Sequence, residues 1–333
     1  MKTLKITAMI LAVFAAFPLL SSCSRSYRKY SATYTDVFDT VTEFTAYCES
    51  QDRFDEVSDA LHEELLRLHR LYDIYHEYDG VVNLAYINRV CGQTSADAGD
   101  EILSLLQTGA EYCRLTDGRL NVFAGSVLSI WHEYRASGDG VPSYAELYEA
   151  SKHTSYQSVL IEGSSVRFTD KELKIDAGAL AKGAASQYAA GLLDSMGISD
   201  YALNVGGNVT VSGKKPEGLW KIGIQSPDGD GLFTKVNVSG TSVVTSGDYQ
   251  RYYEYDGKKY HHIIDLQTLY PADAYSSVTV ICRYQTDADA LSTALFLMSI
   301  EEGERLIEKY GAEALWIKAN GEAVRSKGFS EYE

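Results

Sequence analysis

Four short stretches carry side chains whose types and spacing could do chemistry. In Asp287-Ala288-Asp289-Ala290-Leu291-Ser292-Thr293 a strand gives way to a helix, so Asp289 and Thr293, four apart, share a helical face with Ser292 beside them. One carboxylate and one or two hydroxyls near a helix start suit a hard cation that keeps part of its water, such as Mg²⁺. They suit equally an N-capping aspartate with a solvent-facing threonine. The stretch from Lys174 through Asp176 and Ala179 to Lys182-Gly183 again leads from strand to helix, where backbone N–H groups attract anions and Lys182 can face a phosphate. A plain Gly/Ala-rich helix entry has the same composition. Val244-Thr245-Ser246-Gly247-Asp248-Tyr249 precedes His261-His262-Ile263-Ile264-Asp265. Adjacent strand histidines point to opposite faces, so at most one enters a given site. Asn204-Val205-Gly206-Gly207-Asn208 offers a double glycine on which a flat ligand or another backbone can lie, or which marks a β-bulge.

The elements that position these stretches read as an α+β arrangement of mixed and antiparallel sheets with flanking helices. Ser31 to Tyr47 alternates and is rich in Thr, Val, Phe and Tyr, the pattern of a strand. From Gln51 to Tyr75, Phe54, Val57, Leu61, Leu65, Leu68 and Tyr72 recur at spacings of three and four, predicting an amphipathic helix. A second helix is expected from Asp100 to Leu115, ending at Asp117-Gly118 where glycine takes a left-handed cap. A third starts at Ser143, with Glu146 completing a capping box. Tyr156 to Lys174 reads as a hairpin turning at Gly163-Ser164-Ser165. Asp176 to Met196 is an Ala/Leu/Gly/Lys helix with small faces, which lets a backbone or ligand approach closely. Short Val/Ile/Tyr-rich runs between Tyr201 and Thr286 indicate an antiparallel sheet. Ala288 to Met298 and Glu301 to Tyr310 read as helices, and Ala314 to Val324 as a closing hairpin turning at Asn320-Gly321.

The chain has 333 residues and a net charge of −16, long enough to bury a sizeable core. With 45% hydrophobic and 23% charged residues, a disordered chain is excluded. An excess of 46 Asp and Glu over 30 Lys and Arg repels a polyphosphate backbone, so nucleic acid is not an expected partner. The 25 tyrosines beside 10 phenylalanines suggest half-exposed rings on strands and clefts. At the N-terminus, Lys2 and Lys5 precede an apolar run from Ile6 to Leu20, too short to span a bilayer and suited to a cleaved export signal. Leu20-Ser21-Ser22-Cys23 has the form of a bacterial lipobox. The expected organisation is therefore a signal peptide over 1–22, a tether over 23–30 beginning at a lipidated Cys23, and one folded unit over 31–333. The protein would then be exported and anchored to the membrane on its extracytoplasmic side. Cys48, Cys91, Cys113 and Cys282 contain no Cys-x-x-Cys spacing, and buried free thiols are expected in preference to disulfides.

In their order and distances these stretches resemble the ApbE family, the FAD:protein FMN transferases. The matching residues are Phe38-Asp39-Thr40; Asp73-Ile74-Tyr75 with Asn83-Leu84 and Ile87-Asn88; Asp117 to Asn121 and on through Gly125 to Trp131; Asp176 to Gly183; Asn204 to Gly207; Thr245 to Tyr249; His262 to Asp265; and Asp289 to Thr293. They span Tyr34 to Ile317. The resemblance implies a T-fold-like catalytic unit that uses Mg²⁺ and FAD, moves the FMN half onto a threonine hydroxyl of an exported redox protein carrying a short Ser/Thr motif, and releases AMP. It places Phe38, Tyr75, Arg119, Leu120, Asn121, Asp176, Lys182 and Ile264 against FAD. The metal falls to the Ala179 carbonyl and the side chains of Asp289 and Thr293, and catalysis to His262.

Four departures from the family pattern accompany the resemblance. Its Met-Gly-Thr is here Phe38-Asp39-Thr40, and its Asp-Pro-x-Thr-Gly after the histidine is Asp265-Leu266-Gln267-Thr268-Leu269. Ser292 and Asn121 stand where some members carry an acid. The chemistry asked of such a site is consistent. A diphosphate is broken by neutralising charge on its oxygens, for which a divalent ion and a lysine serve. A threonine hydroxyl needs a base, for which His262 is the first candidate, with Asp176 or Asp289 in reserve. A hydrolase releasing FMN and AMP from FAD, and a non-catalytic flavin-binding lipoprotein, are the alternative expectations; the latter needs no metal at the diphosphate.

Overall fold

The computed structural model describes residues 27–229 and 231–333, so the export signal and Cys23 lie outside the described residues. Among the described residues no helix is long and apolar enough to cross a membrane. An eight-stranded sheet organises the chain: β1 (Arg28–Val37), β2 (Thr40–Cys48), β3 (Tyr201–Val205), β4 (Asn208–Ser212), β5 (Thr241–Gly247), β6 (Tyr275–Cys282), β7 (Glu313–Lys318) and β8 (Ala323–Arg325). Every neighbouring pair is antiparallel, and the spatial order is the chain order. The antiparallel reading of the sequence from Tyr201 onward thus holds. The single strand expected over Ser31–Tyr47 is instead the β1–β2 hairpin, and β1 starts inside the stretch read as tether.

That hairpin turns on Phe38 and Asp39, whose φ values of 54° and 51° are both left-handed, the twist that a two-residue hairpin loop favours. Neither residue is glycine, and a residue with a Cβ pays roughly 1–2 kcal/mol for this conformation. Tertiary contacts hold it: the Phe38 N–H donates to His69 Nδ1 at 3.1 Å, and Arg251 Nη2 donates to the Phe38 carbonyl at 3.4 Å.

Strand alternation divides the interior. Val244 opposite Val280 faces a large core, whereas Val243 opposite Ile281 faces a second one on the other side of the sheet. The second core is closed by the hairpin Trp220–Gln225/Leu232–Val238 and by Phe329. The large core is covered by helices α1 (Gln51–Tyr72), α2 (Leu84–Val90), α3 (Asp100–Leu115), α6 (Ala181–Ser195), α7 (Gln285–Phe296) and α8 (Ile300–Tyr310), while α4 (Gly125–Ser137) and α5 (Tyr144–Ser151) pack on a third cluster with Tyr253, Ile264 and Leu269. On α1 the expected stripe of Phe54, Val57, Leu61, Leu65, Leu68 and Tyr72 is buried, each side chain contributing about 1.5–3 kcal/mol. Ser50 caps its start by accepting the Arg53 N–H.

Several boundaries differ from the sequence reading for identifiable reasons. α1 stops at Tyr72 because the Asp73 carboxylate accepts the N–H groups of Tyr75 and His76 at 2.7 and 3.2 Å, taking the chain out of the helix. α6 begins at Ala181, not at Asp176, because Asp176 Oδ1 accepts the Gly178 N–H at 2.9 Å and makes a turn first. Ser143 accepts the Glu146 N–H, but the reciprocal capping box forms at Ser299 and Glu302 on α8. The left-handed ending after α3 is as expected: Gly118 has φ 79° and its N–H reaches the Cys113 carbonyl at 2.7 Å. The small faces of α6 serve a close approach to α7, since a Cβ on Gly183 would stand 2.6 Å from both Asp289 Cβ and the Gln285 carbonyl oxygen. Cys48, Cys91, Cys113 and Cys282 are buried free thiols, and burial pushes Cys91 and Cys113 up to about 11.

Candidate active site

A cleft of about 680 Å³ opens where the Phe38–Asp39 turn, the residues after α1, the entry to α6, α4, the end of β5 and α7 converge. All twelve candidate residues line it: Phe38, Tyr75, Arg119, Leu120, Asn121, Asp176, Ala179, Lys182, His262, Ile264, Asp289 and Thr293. Its size is within the range of small-molecule sites.

The deep corner is built by the α6–α7 contact. Asp289 is 3% exposed, and its Oδ2 accepts the Gly183 N–H at 2.8 Å. In a regular helix that N–H would go to the carbonyl four residues back, Ala179. Asp289 therefore captures the donor that would otherwise saturate Ala179, and no hydrogen bond among the described residues reaches the Ala179 oxygen. The other carboxylate oxygen, Oδ1, has Lys182 Nζ at 3.7 Å. Thr293 is held by Ser246, whose Oγ lies 3.2 Å from Thr293 Oγ1 and 2.8 Å from Ser292 Oγ; Ser292 in turn donates to the Asp289 carbonyl at 2.9 Å. The corner presents a carbonyl, a carboxylate and a hydroxyl, all hard oxygens. Among the described residues no group of three His, Cys, Asp or Glu side chains forms a self-sufficient metal cage. This donor set fits an ion that completes its shell with water and ligand oxygens, as Mg²⁺ does.

The two histidines separate as their strand geometry requires. His261 is 7% exposed and committed, its Nε2 donating to the Ala272 carbonyl at 2.6 Å while Nδ1 accepts the Ile263 N–H. His262 faces the cleft. Burial, then the nearby charges of Arg251 and Lys182, push it down to about 3, so it is a neutral imidazole. Its Nδ1 lies 3.2 Å from the Arg251 carbonyl, which assigns the proton to Nδ1 and leaves the Nε2 lone pair as a base.

The opposite wall holds Tyr75. Its backbone is set by Asp73, which burial alone would push up but which the Tyr75 and His76 N–H groups and the Tyr78 hydroxyl hold below the usual carboxylate range. The Tyr75 ring is 59% exposed, and its hydroxyl meets His132 Nδ1 at 3.0 Å. Asp176, buried and hydrogen-bonded through its own N–H to the Val122 carbonyl, approaches His132 Nε2 at 3.4 Å. Arg119 is paired with Glu302 at 2.7 Å, which holds that carboxyl down to about 2. Asn121 donates to the Thr154 carbonyl at 2.9 Å and accepts the Phe123 N–H at 2.9 Å. A carboxylate could not make the first of these bonds. Leu120 and Ile264 are buried and contribute apolar wall.

Sequence reasoning missed Ser246 as a support for Thr293, and it missed His132, Arg135 and Arg251. The signal for the α4 residues was present: Leu128, His132 and Arg135, at spacings of four and three, fall on one helical face, and all three line the cleft. Burial pushes the Arg135 guanidinium down.

Comparison with known proteins agrees with this geometry. The family model described as the ApbE family matches residues 38–316. The chain is 30% identical over 246 residues to an FAD:protein FMN transferase of Klebsiella pneumoniae, covering 72% of this chain and 76% of that protein. It is 31% identical to one of Vibrio cholerae, with 70% of each covered. Among solved structures, the ApbE protein of Thermotoga maritima superimposes with a TM-score of 0.82 at 29% identity, covering 92% of this chain and 99% of that one. The flavin transferase ApbE of Vibrio cholerae shares the fold, with a TM-score of 0.79 at 23% identity over 92% of this chain and 100% of its own.

Proposed function

Because the chain belongs to the ApbE family, we propose that it is an FAD:protein FMN transferase, moving FMN from FAD onto a threonine hydroxyl of an exported protein and releasing AMP. The observation that carries this reading is the conjunction, in one cleft, of a neutral histidine base with an oxygen-lined corner in which Asp289 keeps the Ala179 carbonyl open. A flavin carrier needs neither.

The acceptor hydroxyl attacks the phosphorus on the FMN side of the diphosphate. A new phosphorus–oxygen bond forms, the bond to the bridging oxygen breaks, and AMP leaves with that oxygen. His262 Nε2 takes the hydroxyl proton, a contribution of typically about 10²–10⁴-fold. Lys182, 24% exposed and directed at the deep corner, meets diphosphate charge there. Tyr75 and Phe38 offer ring faces, and Leu120 and Ile264 exclude water from the apolar wall. Ala179, Asp289 and Thr293 would hold Mg²⁺, which when bound neutralises charge building on the phosphate oxygens. The export signal and the Cys23 lipid anchor belong to the same reading, since an exported acceptor requires the enzyme on the same side of the membrane.

The test is to incubate the purified protein with FAD, Mg²⁺ and candidate exported redox proteins, then measure AMP and the acceptor mass. A mass gain of one FMN moiety with stoichiometric AMP is expected. AMP without acceptor labelling means a hydrolase; neither product means a carrier.

A further inference from the structure

His132 belongs to none of the motifs that brought the site into view, yet it joins two cleft residues from separate elements. We propose that His132 is a positioning residue that fixes the Tyr75 ring as the platform for the flavin, by accepting the phenolic hydrogen at Nδ1 while its Nε2 faces Asp176. The proposal rests on the transferase reading for the identity of the ligand.

The direction of the chain follows from its chemistry. Asp176 spends Oδ1 on the Gly178 N–H at 2.9 Å and turns Oδ2 toward His132 Nε2 at 3.4 Å. A carboxylate only accepts, so the single proton of a neutral imidazole sits on Nε2 and Nδ1 is an acceptor. Burial keeps His132 neutral: it opposes a second ring proton more strongly than Asp176 favours one, with Arg135 and Arg251 acting in the same sense as burial. On the other side, burial and the charge of Asp176 raise Tyr75, so its hydroxyl stays protonated and donates.

The geometry explains why the bond matters. The Tyr75 ring is 59% exposed, and its aromatic neighbours among the described residues are the tilted rings of His76 and His132, at 6.4 and 5.7 Å. Its backbone is pinned by Asp73 at 2.7 Å and its far end by His132 at 3.0 Å. Two fixed ends leave the ring face presented to the cleft without rotamer freedom that a ligand would otherwise have to remove. Asp176 also orders the turn that carries Ala179, so one carboxylate references both the ring wall and the oxygen corner.

The experiment compares the whole protein with Tyr75→Phe, His132→Ala and the double variant. FAD binding is followed by flavin fluorescence, and kcat and KM for FAD are measured with the unfolding midpoint. Each single variant is expected to weaken FAD binding about 3–10-fold, the scale of one lost hydrogen bond, with KM rising in parallel and kcat within about two-fold. The double variant should be no weaker than the worse single one, because both remove the same bond. Unchanged FAD binding in His132→Ala, multiplicative losses in the double variant, or a fall in kcat with binding intact would each overturn the proposal. Failure of the unmodified protein to bind FAD would instead overturn the transferase reading.

Discussion

The state of His262 makes the sharpest prediction, because its surroundings oppose protonation in the free protein and change once a substrate is bound. Burial, Arg251 and Lys182 together push it down to about 3. An unperturbed histidine near 6.5 would be almost wholly protonated at about pH 5, costing a base mechanism about 30-fold relative to neutral pH. With the depressed value it stays neutral there, so kcat/KM, which reports the free enzyme, should be flat down to about pH 4.5. In the complex, a diphosphate brings negative charge among the same cations. One unit charge about 6 Å away at an effective dielectric of about 20 is about 3 kcal/mol, or about two pKa units upward. The acid limb of kcat should therefore appear near about pH 5, above that of kcat/KM. The assay is steady-state AMP release across about pH 3–8, with folding checked at each pH. Arg251→Ala removes one of the repelling charges and should move the kcat/KM limb up by about one unit. A 30-fold fall of kcat/KM by about pH 5 in the unmodified protein would refute the argument, as would a kcat limb lying below that of kcat/KM.

Three further outcomes follow from the deep corner and the N-terminus. Asp289→Asn keeps an acceptor for the Gly183 N–H but removes the only carboxylate among the proposed metal donors, so turnover should fall about 10²–10³-fold with little change in unfolding temperature; an unchanged rate at saturating Mg²⁺ would exclude the role. Gly183→Ala drives a methyl against the Gln285 carbonyl and Asp289 Cβ, each 2.6 Å away. This should cost about 1–3 kcal/mol and lower the melting temperature by roughly 2–10 °C, whereas a wild-type melting curve would mean that α6 and α7 can part without loss. Cys23→Ser should release the protein from membrane fractions, and persistent membrane association would remove the lipid anchor from the account.

How much of this was legible in the sequence depends on how local each cause is. The α1 stripe, the hairpin signals after Tyr201, the left-handed stop at Gly118 and the small faces of α6 are short-range patterns, and the structure carries each of them. The sequence order of the strands proved to be their spatial order, which is why local strand readings assembled into a correct class. What escaped was decided by contacts between distant segments. The turn at Phe38–Asp39 has no glycine to announce it and depends on His69 and Arg251, 31 and 213 positions away from Phe38. The start of α6 at Ala181 is set by one Asp176 side chain overriding a strongly helical composition. The open state of the Ala179 carbonyl depends on Asp289, 106 positions from Gly183.

Two departures from the family pattern show how such contacts carry the site. Asp39 and Leu269 stand where the pattern has glycine, and both adopt left-handed backbone, at φ 51° and 67°. A bulky residue such as Leu269 is an outlier there. It is nonetheless 3% exposed in the third cluster, its N–H donates to the Asp265 carbonyl at 2.7 Å, and its own carbonyl accepts the Trp131 indole N–H at 3.0 Å. Burying the leucine contributes about 1.5–3 kcal/mol, enough to offset a conformational cost of roughly 1–2 kcal/mol. The indole that stabilises this turn belongs to the residue immediately before His132 on α4. The segment that follows His262 and the helix that positions Tyr75 are thus tied by this hydrogen bond together with the packing of Val127 and Trp131 against Ile264 and Leu269. At Leu269, where the family pattern has glycine, tertiary contacts with the helix that carries His132 therefore hold the left-handed turn that a glycine would adopt through its own backbone freedom.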